Sequence, residues 1–269
     1  KSLITTLEAS QVDRMSKFGY KTDKTGFDIG TSFEQYDDIY FSPSIESYLE
    51  TVKISSSASE SMKKQKGDYF DTSLNYVFTL NKLNQNFQPS SGFSSSFYQS
   101  VPLYADDWSL NNEFRYSKYY SPNDSAIISF KFLAESINSL SGDDVRISKR
   151  VYLPSKRMRG FESGKIGPVD QGDYVGGNYA SALNIATTLP GLLSDLENVD
   201  FSLFLDAGNV WGVDYSDTIS SSSKIRSSTG LGIDWLTPIG PLSFSFTKAI
   251  SKADSDKTET FRFDLGTTF

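Results

Sequence analysis

Segments in which apolar and polar side chains alternate recur along this chain, and turn residues separate them. The segment 68–82 has mainly apolar side chains at every second position and mostly small polar ones between them, and 227–238 and 241–250 are similar. Because successive side chains of a strand point to opposite faces of a sheet, each segment predicts a strand with one apolar face. Twelve strands are predicted, at 2–12, 23–35, 39–53, 68–82, 91–103, 107–121, 125–137, 178–190, 199–211, 227–238, 241–250 and 259–269.

The connections between the predicted strands alternate in length. Short turns, such as 36–38, alternate with long connections at 54–67, 212–226 and 251–258. Short turns on one rim and long extracellular loops on the other are typical of outer-membrane β-barrels. The pattern therefore predicts an all-β fold, a transmembrane antiparallel β-barrel of about twelve visible strands. The longest connection, 138–177, lacks a low-complexity composition and is predicted to be a structured extracellular loop of the same domain.

Composition narrows the choice of fold. Aromatic residues make up 14% of the chain, with 20 Phe and 15 Tyr, whereas hydrophobic residues make up only 38%. No apolar run reaches the length of about 18 residues that a membrane-spanning helix needs, which excludes a helical membrane protein. A spanning strand exposes every second side chain to lipid, so this balance fits a barrel, although composition alone also allows a soluble β-sandwich.

The chain contains no cysteine and no histidine, and its net charge is -7. These counts exclude disulfides, thiolate chemistry, the usual zinc sites and imidazole catalysis, and the negative charge argues against a nucleic-acid partner. Since no Ser-Lys or paired-carboxylate arrangement points to a catalytic site, we expect no enzyme, no cofactor and no metal. The acid pairs 37–38, 106–107 and 143–144 and the basic segment 63–66 are interpreted as solvated rim groups rather than calcium, acid–base or lipopolysaccharide sites.

The most specific motif lies in the long loop, where 158–168 reads Met-Arg-Gly-Phe-Glu-Ser-Gly-Lys-Ile-Gly-Pro. It is followed by Gly-Gly-Asn at 176–178, Phe-Leu-Asp-Ala-Gly-Asn-Val-Trp at 204–211, and Gly-Leu-Gly-Ile-Asp-Trp at 230–235 with a Pro-Ile-Gly-Pro-Leu turn. In this order the motifs resemble the BamA-like outer-membrane insertases, from their sixth extracellular loop to the C-terminus. About 110 residues carry the resemblance strongly, and the segment before about Leu140 matches in strand pattern.

The resemblance implies that the Arg159-Gly160-Phe161 tip folds back into the barrel lumen, where an acidic side chain of the wall holds the arginine. A guanidinium in a partly desolvated lumen needs a planar carboxylate partner. Asp206, in the Asp-x-Gly motif with Gly208, has the right parity, because the alternation of its strand turns it to the lumen. Gly160 is expected to allow a positive φ or a close backbone approach, and Phe161 is expected to act as an apolar plug.

In the family, a glutamate on the preceding strand commonly also contacts this arginine. The equivalent inward position in this sequence reads as Ala186, with Asn184 nearby. The sequence therefore departs from the family pattern. We expect Arg159 to rely on its aspartate alone or on another acid of the lumen, such as Glu162 or Asp234.

The C-terminal segment 259–269 alternates apolar or threonine residues with polar or small ones and ends in phenylalanine, which resembles the terminal recognition strand of outer-membrane β-barrels. In the family, this strand is one side of a weak lateral seam that can exchange its hydrogen bonds for those of an incoming strand. Gly266 and the consecutive threonines after it are expected to weaken the pairing. The expected seam residues are Phe261, Phe263, Leu265, Gly266 and Phe269.

The resemblance implies a central barrel of the outer-membrane protein assembly machinery of a Gram-negative bacterium, which inserts and folds β-barrel proteins. The implied partners are unfolded outer-membrane barrel chains, outer-membrane lipids with lipopolysaccharide, and accessory assembly lipoproteins. A polypeptide-secretion pore of the same superfamily, a passive diffusion porin and a lipid-modifying enzyme remain open as alternatives. The loop motif argues against the porin, whose constriction loop needs no Arg-Gly-Phe tip.

The family barrel has sixteen strands, and soluble periplasmic domains precede it. By this resemblance, residues 1–269 are a partial barrel that begins near the fifth strand, without the first four strands and the periplasmic domains. The chain carries no signal peptide, so we expect a mature fragment or a truncated form. The alternative is a smaller barrel in which 2–12 pairs with 259–269.

Overall fold

The computed structural model describes residues 2–14, 18–192, 198–213, 219, 222–238 and 240–266. Twelve antiparallel strands form one sheet, and two short strands form a separate ribbon. The strands are β1 (Ser2–Arg14), β2 (Tyr20–Tyr36), β3 (Ile39–Ile54), β4 (Gly67–Asn81), β5 (Gly92–Ala105), β6 (Ser109–Asn123), β7 (Ala126–Ser139), β8 (Val169–Asp170), β9 (Asp173–Tyr174), β10 (Tyr179–Leu189), β11 (Val199–Trp211), β12 (Arg226–Thr237), β13 (Gly240–Ser251) and β14 (Phe261–Leu265). A four-residue helix, α1 (Glu60–Lys63), precedes β4. In the described part of the chain, no helix is both long and apolar enough to cross a membrane.

In the large sheet, each strand pairs with the strand that follows it in the chain, from β1 to β7 and from β10 to β14, and β7 pairs with β10. The β8–β9 ribbon lies within the connection between β7 and β10. All twelve predicted strands are confirmed, and their predicted ends lie within three residues of the observed ones except in the last strand. There, pairing covers Phe261–Leu265 of the predicted 259–269. The expected seam residue Phe269 lies outside the described residues.

The two faces of the sheet differ in polarity. In β4, Asp71, Ser73 and Asn75 are buried, whereas Phe70 and Phe78 on the opposite face are exposed. The strands β12 and β13 show the same alternation. A water-soluble sheet buries its apolar face, so a polar interior with an apolar exterior indicates a wall that faces lipid. The fold is a transmembrane antiparallel β-barrel wall, which excludes the soluble sandwich.

The sheet curves around the connection between β7 and β10, residues 140–178, which we call the lumen loop. This loop packs against Tyr20 of β2 and Val52 of β3 on one side, and against Leu133 of β7 and Val210 of β11 on the other. Strands so far apart in the sheet order contact a single loop because the sheet is rolled, with its polar face inward. The inner face therefore carries the candidate site.

The antiparallel order distributes the connections between two rims. The β2–β3 and β6–β7 turns open at one rim, and the β3–β4 connection opens at the other, together with the lumen loop. The β3–β4 connection folds into α1, where the Ser59 side chain accepts a hydrogen bond from the Met62 N–H at 3.3 Å. Met62 is fully buried and packs with Tyr20 and Val52. This connection thus adds to the packing around the lumen loop.

Candidate functional site

The lumen loop fills the barrel interior with buried apolar side chains. One cluster packs against β7, β10 and β11, and the loop contributes to it Val145, Val151, Leu153, Met158, Phe161 and Ile166. A second cluster packs against β2, β3 and α1, and the loop contributes Ile147, Tyr174 and Val175. Removing apolar surface from water favours the inserted loop by about 25 cal/mol per Å². Such contacts have no direction, so the exact position of the loop depends on its polar contacts.

The side chain of Arg159 is bound to Asp206 of β11 by two parallel hydrogen bonds. Arg159 Nε lies 2.8 Å from Asp206 Oδ2, and Arg159 Nη2 lies 2.8 Å from Asp206 Oδ1. The main-chain N–H of Arg159 also donates to Asp206 Oδ2, at 3.2 Å. The side chains are only 5% and 0% exposed, so solvent screens this pair little. The pair fixes both the position and the rotation of the loop tip.

Asn184 of β10 completes the contacts of the carboxylate. Asn184 lies opposite Asp206 in the β10–β11 register, and its Nδ2 donates to Asp206 Oδ1 at 2.8 Å. The same amide group donates to the carbonyl oxygen of Arg157 at 3.0 Å. The residue that adjoins Asp206 on the preceding strand is therefore Asn184, and not Ala186, which pairs with Phe204. Parity alone could not distinguish the two positions, because both side chains point inward.

The wall also contacts Arg159 through an aromatic ring. The guanidinium carbon of Arg159 lies 3.5 Å from the centroid of the Phe204 ring, a cation–π contact. The guanidinium forms its ion pair with Asp206. Of the other two acids considered from the sequence, Glu162 is exposed, and Asp234 accepts a hydrogen bond from Ser243.

The two residues after Arg159 lie against the last strands of the sheet. Gly160 has a φ of +87°, and a Cβ atom there would lie 3.2 Å from Ser228 Cβ and 3.3 Å from Thr247 Cβ. Any other residue would therefore meet both backbone strain and a tight contact. Phe161 is fully buried and forms an antiparallel β-bridge with Thr258, just before β14. The loop tip therefore contacts the segment that precedes the last strand.

Gly208, two residues after the aspartate, allows the loop to approach the β11 backbone. A Cβ atom at Gly208 would lie 2.7 Å from the Ser181 carbonyl oxygen and 3.0 Å from Met158 Sδ. Met158 immediately precedes the arginine of the tip. The absence of a side chain at Gly208 therefore lets the loop lie close enough for the ion pair to form.

A second charged cluster anchors the start of the lumen loop, and the sequence reading missed it. Arg146 Nε lies 3.0 Å from Glu50 Oε2, and Arg146 Nη2 contacts Asp71. Lys149 Nζ lies 3.2 Å from Asp71 Oδ2. The Arg146 main-chain N–H donates to Asp107 Oδ2 at 3.1 Å. The inward parity of Glu50 in β3 and Asp71 in β4 was the signal that could have revealed this cluster.

This cluster changes the ionisation of its two loop cations in opposite directions. Burial disfavours the charged guanidinium of Arg146, but Glu50 and Asp71 outweigh burial and raise its pKa. Burial, followed by repulsion from Arg146, lowers the pKa of Lys149. Arg146 is therefore the permanent cation that balances the inward acids of β3 and β4.

The same cluster corrects two interpretations of solvated rim groups. Asp107 is buried, and so is Gln65, whose side-chain oxygen accepts a hydrogen bond from the Ile147 N–H at 2.6 Å. Both lie under the lumen loop, whose long-range fold the local sequence does not reveal. The acid pairs 37–38 and 143–144 are exposed, as predicted.

A cavity of about 400 Å³ lies between the loop tip and the turn that joins β4 to β5. Its lining includes Lys131, Arg157 and Asp200. Gln88 of the turn reaches across the lumen, where its Nε2 lies 3.5 Å from Asp200 Oδ2. Over the described ranges, no group of three or more acidic, histidine or cysteine side chains could hold a metal ion.

The last strand ends the sheet with a short ladder. β14 pairs with β13, and its side chains Phe261, Phe263 and Leu265 are exposed on the outer, lipid-facing side. Gly266 follows with a φ of +77°, and its N–H donates to the Pro241 carbonyl oxygen at 2.8 Å. Within the described part of the chain, β14 has one hydrogen-bonded neighbour, β13. Its opposite edge is the candidate seam.

Comparison with known proteins agrees with this architecture. A family model described as the Omp85 superfamily domain matches residues 2–269. The "Outer membrane protein assembly factor BamA" of Neorickettsia risticii is 29% identical over 257 residues, which cover 93% of this chain and 34% of that protein. The protein of the same name from Neisseria meningitidis is 34% identical over 140 residues, or 42% of this chain and 17% of that protein. The chain thus spans about a third or less of these relatives.

A solved structure shares the fold. The crystal structure of BamA from Haemophilus ducreyi lacking POTRA domains 1-3 superposes with a TM-score of 0.87 at 22% sequence identity. The match covers 97% of this chain and 57% of that one. At this identity the likeness concerns the fold, and it agrees with the rolled antiparallel sheet described above.

Proposed function

Because this chain belongs to the Omp85 superfamily, we propose that it forms the barrel wall of an outer-membrane insertase in a Gram-negative bacterium. The proposed activity is the insertion and folding of other β-barrel proteins through a weak lateral seam beside β14. The proposed substrates are unfolded outer-membrane barrel chains. Contacts with accessory lipoproteins and with lipopolysaccharide are further expectations from the family resemblance, and they concern the whole assembly.

The observation that carries this proposal is the edge of β14 opposite β13, which has no hydrogen-bonded neighbour among the described residues. The Thr247 N–H donates to the Thr260 carbonyl oxygen at 2.8 Å, and the Gly266 N–H donates to that of Pro241 at the same distance. Hydrogen-bonded and non-bonded pairs alternate in an antiparallel ladder. The backbone groups that point away from β13 are therefore those of Phe261, Phe263 and Leu265.

An edge of this kind favours exchange with an incoming strand. Each backbone group without a partner in lipid costs several kcal/mol, so a strand that supplies hydrogen bonds is stabilised at the edge. The outward side chains Phe261, Phe263 and Leu265 are apolar, and a substrate strand with a similar outward face would continue the lipid-facing surface. Pairing at the edge thus needs no external energy source in this proposal.

We propose that Arg159, Gly160 and Phe161 form a lumen plug, which keeps the barrel lumen blocked while the β14 edge exchanges hydrogen bonds with a substrate strand. The buried Arg159–Asp206 pair supports this role, since it holds the loop tip against the wall. A filled lumen disfavours a passive porin. A polypeptide-secretion pore would require the same loop to leave the lumen, because the chain would pass through the space that the loop occupies.

The test uses the full-length protein in lipid vesicles and a urea-unfolded outer-membrane barrel protein as substrate. The variant Phe263→Pro removes one N–H from the free edge and leaves the hydrogen bonds to β13 intact. Proline is tolerated in an edge strand at a position whose N–H points away from the sheet. The matched control, Phe263→Ala, removes the same aromatic ring and keeps the N–H. The rate of appearance of folded substrate is measured by its heat-modifiable gel mobility.

We expect Phe263→Ala to insert substrate at nearly the normal rate and Phe263→Pro to fall towards the rate of empty vesicles. The variant's own heat-modifiable mobility controls for its folding. Equal insertion by the two variants would show that the β14 edge does not take part. A secretion pore predicts instead that the unsubstituted protein gives no acceleration over empty vesicles.

A further inference from the structure

A second buried arginine–aspartate pair lies at the rim of the barrel, beside the lumen plug. We call this pair and the Arg159–Asp206 pair the two clamps. Arg226, the first residue of β12, is bound to Asp256 by two parallel bonds, with Nε 2.9 Å from Oδ2 and Nη2 2.9 Å from Oδ1. Both side chains are completely buried. Arg226 Nη1 also donates to Asn209 and to the carbonyl oxygens of Ser222 and Lys224, the last two at 3.1 Å.

Asp256 lies in the segment 252–260, which connects β13 directly to β14. Its Oδ2 also accepts a hydrogen bond from the Ala253 N–H at 2.6 Å, so the carboxylate organises the segment as well as binding the arginine. Because a buried guanidinium needs its carboxylate, this pair fixes where the chain begins its last strand.

Main-chain hydrogen bonds join the same segment to the lumen loop, at the lumen plug and at the residues just after it. The Glu162 N–H donates to the Lys257 carbonyl oxygen at 3.0 Å, and the Lys257 N–H donates to that of Lys165 at 3.2 Å. The Glu259 N–H donates to the Gly160 carbonyl oxygen at 3.0 Å. We call these three bonds the plug–strand ladder. It ends two residues before β14 begins.

We propose that Arg226 and Asp256 are positioning residues for the terminal strand, and that the plug–strand ladder couples this strand to the lumen plug. The proposal rests on the proposed insertase function, because the seam beside β14 is the part that it positions. Two buried ion pairs fix the two segments that the ladder joins. Arg159–Asp206 fixes the lumen loop, and Arg226–Asp256 fixes the segment before β14. Loosening either clamp therefore loosens both sides, since coupling between two sites is reciprocal.

This coupling gives the plug a role in seam exchange. While the ladder is intact, the extracellular end of β14 stays beside β13, and an incoming strand meets an edge of fixed position. When the ladder breaks, the chain before β14 loses its contact with the loop tip, and the edge loses its alignment. Insertion then slows because the free backbone groups no longer face the substrate in register.

The first experiment compares Asp256→Asn with Asp254→Asn in the full-length protein, folded in lipid vesicles. Asp254 lies in the same segment, but it is exposed, so its substitution removes the same charge without touching the clamp. Hydrogen exchange is measured for the amides of Glu162, Lys257 and Glu259. We expect Asp256→Asn to raise all three exchange rates by about 10- to 100-fold, as loss of a charge-assisted bond predicts, and Asp254→Asn to leave them unchanged.

Reciprocity is tested from the other side of the ladder. Asp206→Asn acts on the plug clamp, and the same Lys257 and Glu259 amides should exchange faster in it. A purely local structural role for Arg226–Asp256 would leave the Glu162 amide protected in Asp256→Asn, and that result would overturn the proposal.

A second pair of variants guards against misfolding of Asp256→Asn. Lys257→Pro removes one donor of the plug–strand ladder and leaves the buried ion pair intact, and Lys257→Ala keeps the donor. We expect Lys257→Pro, and not Lys257→Ala, to slow substrate insertion at unchanged heat-modifiable folding. Equal insertion rates would reject the positioning role. Failure of the unsubstituted protein to insert substrate would instead reject the proposed function, and the exchange data would still decide the coupling.

Discussion

The substitution Asp206→Asn tests the lumen plug most directly, because it removes a charge and changes few atoms. Asp206 accepts four hydrogen bonds, three from Arg159 and one from Asn184. Each carboxylate oxygen accepts two of them. An asparagine retains one oxygen, so it can keep at most two of the four bonds. Its amide N–H groups then face donors in place of the second oxygen.

The expected cost follows from burial. A hydrogen bond to a charged group contributes about 1.5–3 kcal/mol, and removing one partner of a buried ion pair costs about 3–5 kcal/mol. Arg159 is only 5% exposed and lies in the inserted loop, so its charge stays unbalanced until the loop leaves the wall. We therefore expect the inserted loop to lose about 3 kcal/mol, which raises the open population about 100-fold.

Limited trypsin digestion in vesicles measures that population, because cleavage tracks the open form when opening is fast. The loop carries Lys156 and Arg157 as cleavage sites beside the tip. Glu162→Gln is the control, since it neutralises an exposed acid of the same loop. In the double variant Arg159→Met with Asp206→Asn, the loop tip no longer carries a buried cation that has lost its carboxylate, so much of the protection should return. An unchanged cleavage rate and unchanged heat resistance in Asp206→Asn would refute the account of the plug.

Two further predictions concern the loop tip and the orientation of the barrel. In the same digestion assay, Gly160→Ala should loosen the loop tip more than Gly142→Ala loosens its own turn. The two glycines have similar φ angles, +87° and +85°, but a Cβ atom at Gly142 would meet nothing within 4 Å. The backbone strain of about 1–2 kcal/mol is then common to both, and equal effects would mean that the contacts with Ser228 and Thr247 contribute nothing. For orientation, a single cysteine at the exposed Ser57 should react with a membrane-impermeant maleimide on intact cells, whereas one at the exposed Asp124 should not, since they lie on opposite rims. Equal labelling at both sites would invert or break the assigned topology, and the chain has no other cysteine to confuse the result.

The wall of the barrel could be predicted from the sequence because its information is local. A strand in this wall alternates lipid and lumen contacts over about ten residues, and each alternation is visible within its own segment. The inward orientation of Asp206 followed from the parity of β11 alone. Parity also limits the prediction, since Asn184 and Ala186 both point inward and only the register with β11 distinguishes them.

Most polar contacts of the lumen loop and of the segment before β14 could not be predicted, because they join residues far apart in the sequence. Arg146 meets Asp71 across 75 positions, and Arg226 meets Asp256 across 30. In each case the sequence gives the residue types, but the partners are decided by how the sheet rolls around the loop. The resemblance identified Arg159 and Asp206 only because their motif is specific. Neither of the other clusters has a comparably specific signature.

The polarity of the barrel explains why three arginines hold the lumen loop and its neighbour. In a soluble domain, the apolar faces of the elements pack together and fix one arrangement; here the apolar face of the wall belongs to lipid, and the inner face is polar. A loop inserted against a polar wall gains direction from charge-assisted hydrogen bonds, which planar guanidinium and carboxylate groups form with defined geometry. Arg146, Arg159 and Arg226 bind acids of β3 and β4, of β11, and of the segment before β14. Charged pairs therefore anchor the beginning and the tip of the loop, and the terminal segment that it contacts.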